Sequence, residues 1–265
     1  MPTKGWCGEI AQAVTGLGKP LLGILVFAAV VLLAILVGCA ALQRKLLFYP
    51  SHHHQTNGLS EWRQAGELIG YARLVPSPRN VWLMLHGNGG QASDRVYALD
   101  SFSRQDAVFI LEYPGYGLRP GSPSMEHLNA AAAQAYQILR ARFPKTPVCV
   151  VGESIGSGPA SALALNTHPP DKIVLVVPFD TLSLVAAHHF PLMPVRLLLR
   201  DKWDNLKSLQ AYQGPVEIFG ARDDEIIPMA RARALAASNP SWAFHEIQGG
   251  HNDWAGHDRV RIRNP

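Results

Sequence analysis

Seven short apolar runs, spread over residues 68–251 and each broken off by glycine, proline or a polar cluster, restrict the folds open to this chain more than any other feature. The first, LIGYARLV, alternates apolar and polar residues as a half-buried strand does. The other six are VWLMLHG, AVFILEYPG, VCVVGES, KIVLVVPFD, VEIFGARDD and AFHEIQGGH, and they read as strands rich in β-branched residues. Helical patterns lie between them: ASDRVYALDSFSRQ, SMEHLNAAAAQAYQILRARF, SIGSGPASALALNT, TLSLVAAHHF and MARARALAAS. The second is the strongest, since Ala and Leu dominate it and Pro144 stops it. Continuous apolar strands alternating with helices give an α/β fold, a mostly parallel sheet covered on both faces. Chemistry in such sheets collects at the carboxyl ends of the strands.

The amino terminus follows a different pattern. Residues 21–42, LLGILVFAAVVLLAILVGCAAL, carry no charge. That is enough for a helix to cross a bilayer, which needs about 20 residues, and longer than the apolar stretch of an ordinary cleaved signal. A retained transmembrane anchor is therefore favoured. Leu36, Val37, Gly38 and Cys39 also fit a lipobox, in which cleavage would leave a lipidated Cys39. On either reading the chain is tethered to a membrane, with the remainder of the chain expected outside the cytoplasm. Lys4 and Lys19 before the span nearly balance Arg44 and Lys45 after it, so charge bias barely sets orientation. The expected organisation is 1–43 as anchor or lipoprotein signal, 44–67 as linker and first strand region, and 68–265 as the α/β domain.

A net charge of +4 is mild for 265 residues, and no aromatic-basic platform accompanies it, so nucleic acid is not an expected partner. Arg259, Arg261 and Arg263 read as a solvated tail. Cys7, Cys39 and Cys149 differ in setting and imply neither a disulfide framework nor a zinc site. His52, His53 and His54 are consecutive on an irregular loop; they do not converge on a metal and read as exposed and structurally neutral.

Within residues 148–160, VCVVGESIGSGPA, Ser154 is flanked at two positions either side by Gly152 and Gly156. Placed between a strand and a helix, Gly-x-Ser-x-Gly becomes a nucleophile elbow, with a sharp turn that needs small neighbours. Gly158 is expected to let the following helix approach the sheet. A serine hydroxyl needs a base, and the base needs an orienting acid, in the chain order serine, acid, histidine. His251 in IQGGHNDW is the base candidate; His245 lies inside the last strand, and His257 lies further along the tail. The acid belongs on the loop ARDDEIIP, which offers Asp223, Asp224 and Glu225. Asp224 fits the distance to Pro228, Asp223 fits the distance from Gly220, and Asp224 is preferred. Asp223 would then pair with Arg222 or cap the next helix. Asp180 is a third possibility, read more readily as a helix N-cap. Two backbone N–H groups must meet the tetrahedral oxygen, and Ile155 and Asn88, in the turn His86-Gly87-Asn88-Gly89-Gly90, are the candidates. His86 reads as a structural hydrogen-bonder below the site.

Five motifs in this order, HGNGG, EYPGYGLRPGSPS, GESIG, DDEIIP and GGHND, resemble the small membrane-anchored serine hydrolases of the α/β-hydrolase fold over roughly residues 44–255. Bacterial hydrolases of unassigned substrate and, more distantly, animal protein depalmitoylases are of this kind. The resemblance implies hydrolysis of acyl esters or thioesters by Ser154, Asp224 and His251, with no cofactor. Two departures stand out: the acid loop is one residue longer, and DRVRIRNP follows His251 where the family usually has a further helix. The lid segment, 181–213, is short, enough for a helical pair and no cap domain. Its Phe190, Leu192, Met193 and Val195 either border an acyl pocket or cover the sheet. An open site suits a small-molecule or lipid-like acyl ester. The competing functions are a catalytically silent binding scaffold of the same fold and a serine peptidase. Oligomeric state is not legible.

Overall fold

The computed structural model describes residues 6–255 and 260–263, without the side chains of 6–20, 40 and 41; Lys4, Cys7, Lys19, His257 and Arg259 fall outside that description in whole or in side chain. Two compact units are present, Met1–Gln43 and Arg44–Pro265. A single helix, α1 (Trp6–Leu47), occupies the amino terminus. Its stretch Leu21–Cys39 has a mean hydropathy of 3.1 and none of it is buried.

The second unit is built on one eight-stranded sheet. Its strands are β1 (Ser60–Gln64), β2 (Glu67–Arg73), β3 (Val81–Leu85), β4 (Ala107–Leu111), β5 (Val148–Glu153), β6 (Ile173–Val176), β7 (Val216–Ala221) and β8 (Ala243–Ile247). They lie in the order β1-β2-β4-β3-β5-β6-β7-β8. β2 is antiparallel to both β1 and β4, and every other pairing is parallel. This is the α/β-hydrolase fold expected from the sequence. Strand periodicity explains the two cores: Val81, Leu83 and Leu85 of β3 join one cluster, while Trp82 and Met84 join the other.

The remaining helices are α2 (Met125–Arg142), α3 (Ser157–Ala162), α4 (Leu182–His189), α5 (Val195–Leu198), α6 (Asn205–Leu209) and α7 (Met229–Ala237). Ser124 caps α2 by accepting the His127 N–H at 3.1 Å, and Arg140 and Arg142 sit in its last turn. The stretch read as a helix over 92–105 is instead a chain of 3₁₀ turns, Ala92–Ser101. Its carbonyls are partly engaged elsewhere: Asn57 Nδ2 donates to Ser93 O and Arg73 Nη1 to Leu99 O. A parallel pair the sequence did not announce joins Tyr49–Pro50 to Gly89–Gly90.

The terminal segment departs in part from the solvated tail expected of it: Val260 and Ile262 are buried, and Ile262 N–H donates to Ser101 O at 2.8 Å. Arg261 and Arg263 remain exposed, although the Arg263 carbonyl accepts from Lys172 Nζ at 3.0 Å.

Candidate active site

Ser154 follows β5 directly, with φ at +53°, a left-handed conformation a non-glycine residue adopts only under constraint, at roughly 1–3 kcal/mol. Its neighbours make the turn possible. A Cβ on Gly156 would run into the Leu85 carbonyl oxygen, and one on Gly152 would come within 2.6 Å of the Ala160 Cβ. The turn thus packs against the end of β3, close to the 86–90 turn. Gly158 is used differently from expectation: the space it leaves holds the indole of Trp203 from the lid segment.

The structure brings three predicted residues into one hydrogen-bonded line. Ser154 Oγ lies 2.8 Å from His251 Nε2, and His251 Nδ1 lies 2.7 Å from Asp224 Oδ2. Asp224 Oδ1 accepts the Ile226 and Ile227 N–H groups at 2.9 and 2.7 Å, so the carboxylate is held on both oxygens. A carboxylate only accepts, which puts the imidazole proton on Nδ1 and leaves the Nε2 lone pair for the serine hydroxyl. The side chains of His251 and Asp224 are 9% and 2% exposed.

Asp223 does something else. Its N–H donates to Gly249 O at 3.1 Å, after Arg222 N–H donates to Ile247 O at 2.9 Å. These bonds extend the β7–β8 pairing by two residues, and the extra residue of the loop is absorbed there. Arg222 pairs with Glu246 at 2.7 Å rather than with Asp223. Asp180 takes Arg231 at 3.1 Å and the Thr181 N–H at 2.7 Å. His245 pairs with Glu217 at 2.9 Å.

Ile155, the residue after the serine, is buried, and Asn88 lies in the turn beyond β3. Among the described residues no protein acceptor meets the Asn88 N–H. His86 is fully buried, its ring tilted against that of Tyr113 with centroids 4.3 Å apart, and with Nδ1 2.7 Å from Gly87 O. The triple histidine is not idle: His52 Nδ1 donates to Gly117 O at 2.9 Å, and His53 Nε2 lies 2.7 Å from Asp94.

One participant escaped the sequence reading. Glu153, the residue of GESIG immediately before the serine, is 5% exposed. It accepts the Gly87 N–H at 2.9 Å and the Tyr97 hydroxyl and Trp254 indole N–H at 3.2 Å each. Arg95 Nε lies 3.2 Å away, an ion pair too bent to be a hydrogen bond. Burial pushes the Glu153 carboxyl up, but Arg95, then the Gly87 and Trp254 N–H groups, pull it further down, below the ordinary range. Glu153 thereby joins the 86–90 turn, the Ala92–Ser101 turns and the loop after His251. The one available signal was an acidic residue closing an apolar strand, which has to find a partner once buried.

A serine hydroxyl activated in this way can add to a carbonyl carbon. The profile of the alpha/beta hydrolase family matches residues 82–260. An uncharacterized protein of Mycobacterium tuberculosis H37Rv is 29% identical over 243 residues, covering 80% of this chain and 81% of the relative. The lysophosphatidylserine lipase ABHD12 of Danio rerio is 30% identical over 71% of this chain and 56% of its own length. Alpha/beta hydrolase domain-containing protein 17C of Mus musculus is 29% identical over 69% and 58%. Among solved structures, TT1662 of Thermus thermophilus superposes with a TM-score of 0.58 at 19% identity, covering 73% of this chain and 90% of that one. The Pyrococcus furiosus esterase Pf2001 superposes with a TM-score of 0.58 at 14% identity, covering 78% and 91%. The elbow at Ser154, the strand order and the profile match over 82–260 agree, and the chain belongs to the alpha/beta hydrolase family.

Proposed function

We propose that this chain is a membrane-tethered serine hydrolase that cleaves carboxylic esters or thioesters through an acyl-enzyme. The observation that carries the reading is Ser154 at φ +53° with its Oγ 2.8 Å from His251 Nε2 and Asp224 2.7 Å beyond. His251 Nε2 takes the hydroxyl proton as Ser154 Oγ bonds to the carbonyl carbon. Asp224 stabilises the imidazolium that forms. The N–H groups of Asn88 and Ile155 receive the oxyanion. His251 returns the proton to the departing oxygen or sulfur, which leaves an acyl group on Ser154. Water then gives a proton to His251 as its oxygen bonds to the acyl carbon, the bond from that carbon to Ser154 Oγ breaks, and His251 returns the proton to Oγ, which releases the acid and restores the serine.

Residues 68–265 are the catalytic domain in this reading, 44–67 its linker and first strand, and 1–43 the anchor or lipoprotein signal. The exposed apolar stretch Leu21–Cys39 supports a tether, and the Leu36, Val37, Gly38 and Cys39 sequence supports placement outside the cytoplasm. A lipid-like substrate is favoured by the short lid segment and by the likeness to a lysophosphatidylserine lipase.

The test uses the full chain in detergent micelles on p-nitrophenyl esters of increasing acyl length, beside Ser154→Ala and a fluorophosphonate probe. Turnover and labelling that both vanish in Ser154→Ala are expected, a fall of about 10⁴-fold or more. A folded wild-type chain with neither activity nor labelling would make it a binding scaffold instead.

A further inference from the structure

Asn88 has a side chain as well as an N–H, and its partners come from an unexpected part of the chain. Its Nδ2 donates to Leu47 O, where α1 ends. Its Oδ1 accepts the Tyr49 N–H at 3.2 Å and the Tyr116 hydroxyl at 2.9 Å. The contact continues residue by residue. Tyr49 and Pro50 pair in parallel with Gly89 and Gly90, and Ser51 N–H donates to Gly90 O at 2.9 Å. Gln91 and His53 exchange two bonds, His53 N–H to Gln91 Oε1 at 2.9 Å and Gln91 Nε2 to His53 O at 3.1 Å. Phe48 is buried in the main core with its ring 6.5 Å from that of Trp203, so the segment is seated and not merely passing.

The physical problem at this turn is looseness. The Asn88 N–H belongs to the Gly87–Asn88 peptide, and a glycine before that peptide and two more after Asn88 leave its plane freer to rotate than in an ordinary turn. An oxyanion donor works only if it already points at the developing charge. Among the described residues, Arg95 and His86 hold the carbonyl of that same peptide, Gly87 O, at 3.2 and 2.7 Å, and Tyr116 and Arg95 are the other side chains that hold residues 88–90. The remaining bonds come from residues 47–51.

We infer that the Asn88 side chain is a positioning residue, through which the segment that leaves α1, residues 47–51, fixes the peptide that presents the Asn88 N–H to the oxyanion. The inference rests on the serine-hydrolase reading. The stretch taken from the sequence as a linker is then a wall of the active site.

The experiment compares the full chain in micelles with Asn88→Ala, which keeps the backbone donor and removes its anchor, and with Tyr116→Phe, which removes one hydroxyl. Each is assayed for kcat, KM, thermal midpoint and the Ki of a trifluoromethyl ketone, which forms a tetrahedral adduct with the serine. Asn88→Ala should lower kcat by about 10²-fold, change KM by no more than about threefold, and weaken the ketone in proportion to kcat. Tyr116→Phe should move kcat and Ki together by a smaller factor. Unchanged kcat and Ki in Asn88→Ala overturn the inference, as does a loss confined to KM or a fall in kcat that the ketone does not follow. If Asn88→Ala does not fold, Tyr116→Phe decides by the same correlation. A wild-type chain without Ser154-dependent turnover shows instead that the hydrolase reading has failed, and the inference falls with it.

Discussion

Glu153 carries a charge into the interior because three loops need a common acceptor beside the serine. Removing that charge leaves Arg95 buried and unpaired, which for a broken buried pair costs about 3–5 kcal/mol. Glu153→Gln should therefore lower unfolding stability by about that amount at neutral pH, measured by urea denaturation. Its folded pKa lies below the ordinary value of 4.5, so the stabilisation is complete above the unfolded pKa and drains away as pH falls through the folded one. The gap between wild type and variant should narrow in acid; a gap that stays constant down to about pH 3, well below ordinary carboxyl values, would remove Glu153 from this role. The adjacent aspartates separate on similar grounds. Asp224→Asn should cost about 10⁴-fold in kcat, by loss of the tautomer that faces the serine. Asp223→Asn keeps the backbone bond to Gly249 and should leave kcat within a few-fold. Equal losses in steady-state assays would contradict the assignment of roles.

Among the elements, the lid segment changes most on inspection. Two uses were open for its apolar residues, bordering a pocket or covering the sheet. Val195 is buried, as are Leu182 and Val185 of α4, so part of the segment does cover the body. Leu192 is 98% exposed and Leu197 82%, so these cover nothing within the chain. At the carboxyl end of α4, His189 Nε2 donates to Ile226 O at 2.7 Å, which links the lid to the loop that holds Asp224. Leu192→Ser should leave stability within about 0.5 kcal/mol. Val195→Ala should cost about 1.5 kcal/mol, two methyl groups at ~0.8 kcal/mol each. Calorimetry that showed the reverse ranking would mean that the lid sits differently.

At the scale of the whole molecule, the chain divides at Gln43 and Arg44 into a helix and an enzyme-sized body. A helix with an 18-residue window of such hydropathy and no burial has nowhere in its own unit to hide its apolar side chains. The full chain should remain in the pellet when membranes are washed with alkaline carbonate, and a chain begun at Arg44 should appear in the supernatant. Release of the full chain by that wash would count against both an anchor and a lipid at Cys39. Retention that depends on Cys39, tested by Cys39→Ala, would favour the lipid.

Strands, the elbow and the loops bearing Asp224 and His251 were legible from the sequence, because each is written in a local pattern: apolar runs ended by glycine, glycines flanking a serine, a Pro after an acidic loop. Asp224 was preferred to Asp223 on the local distance to Pro228, but the competing distance from Gly220 stayed open because it depends on how far β7 and β8 stay paired, which takes two strands meeting. The partners of Glu153 were hidden for the same reason: Gly87, Tyr97 and Trp254 lie far from it along the chain and reach it only once the sheet has formed. Residues 44–67 read as linker and first strand region because nothing in their own pattern names the turn at 88–91 as a partner. A hydrogen bond between residues 47 and 88 has no sequence signature, since it is made by docking geometry and not by periodicity. Local chemistry determined which residues could act, and tertiary packing decided which of them face one another.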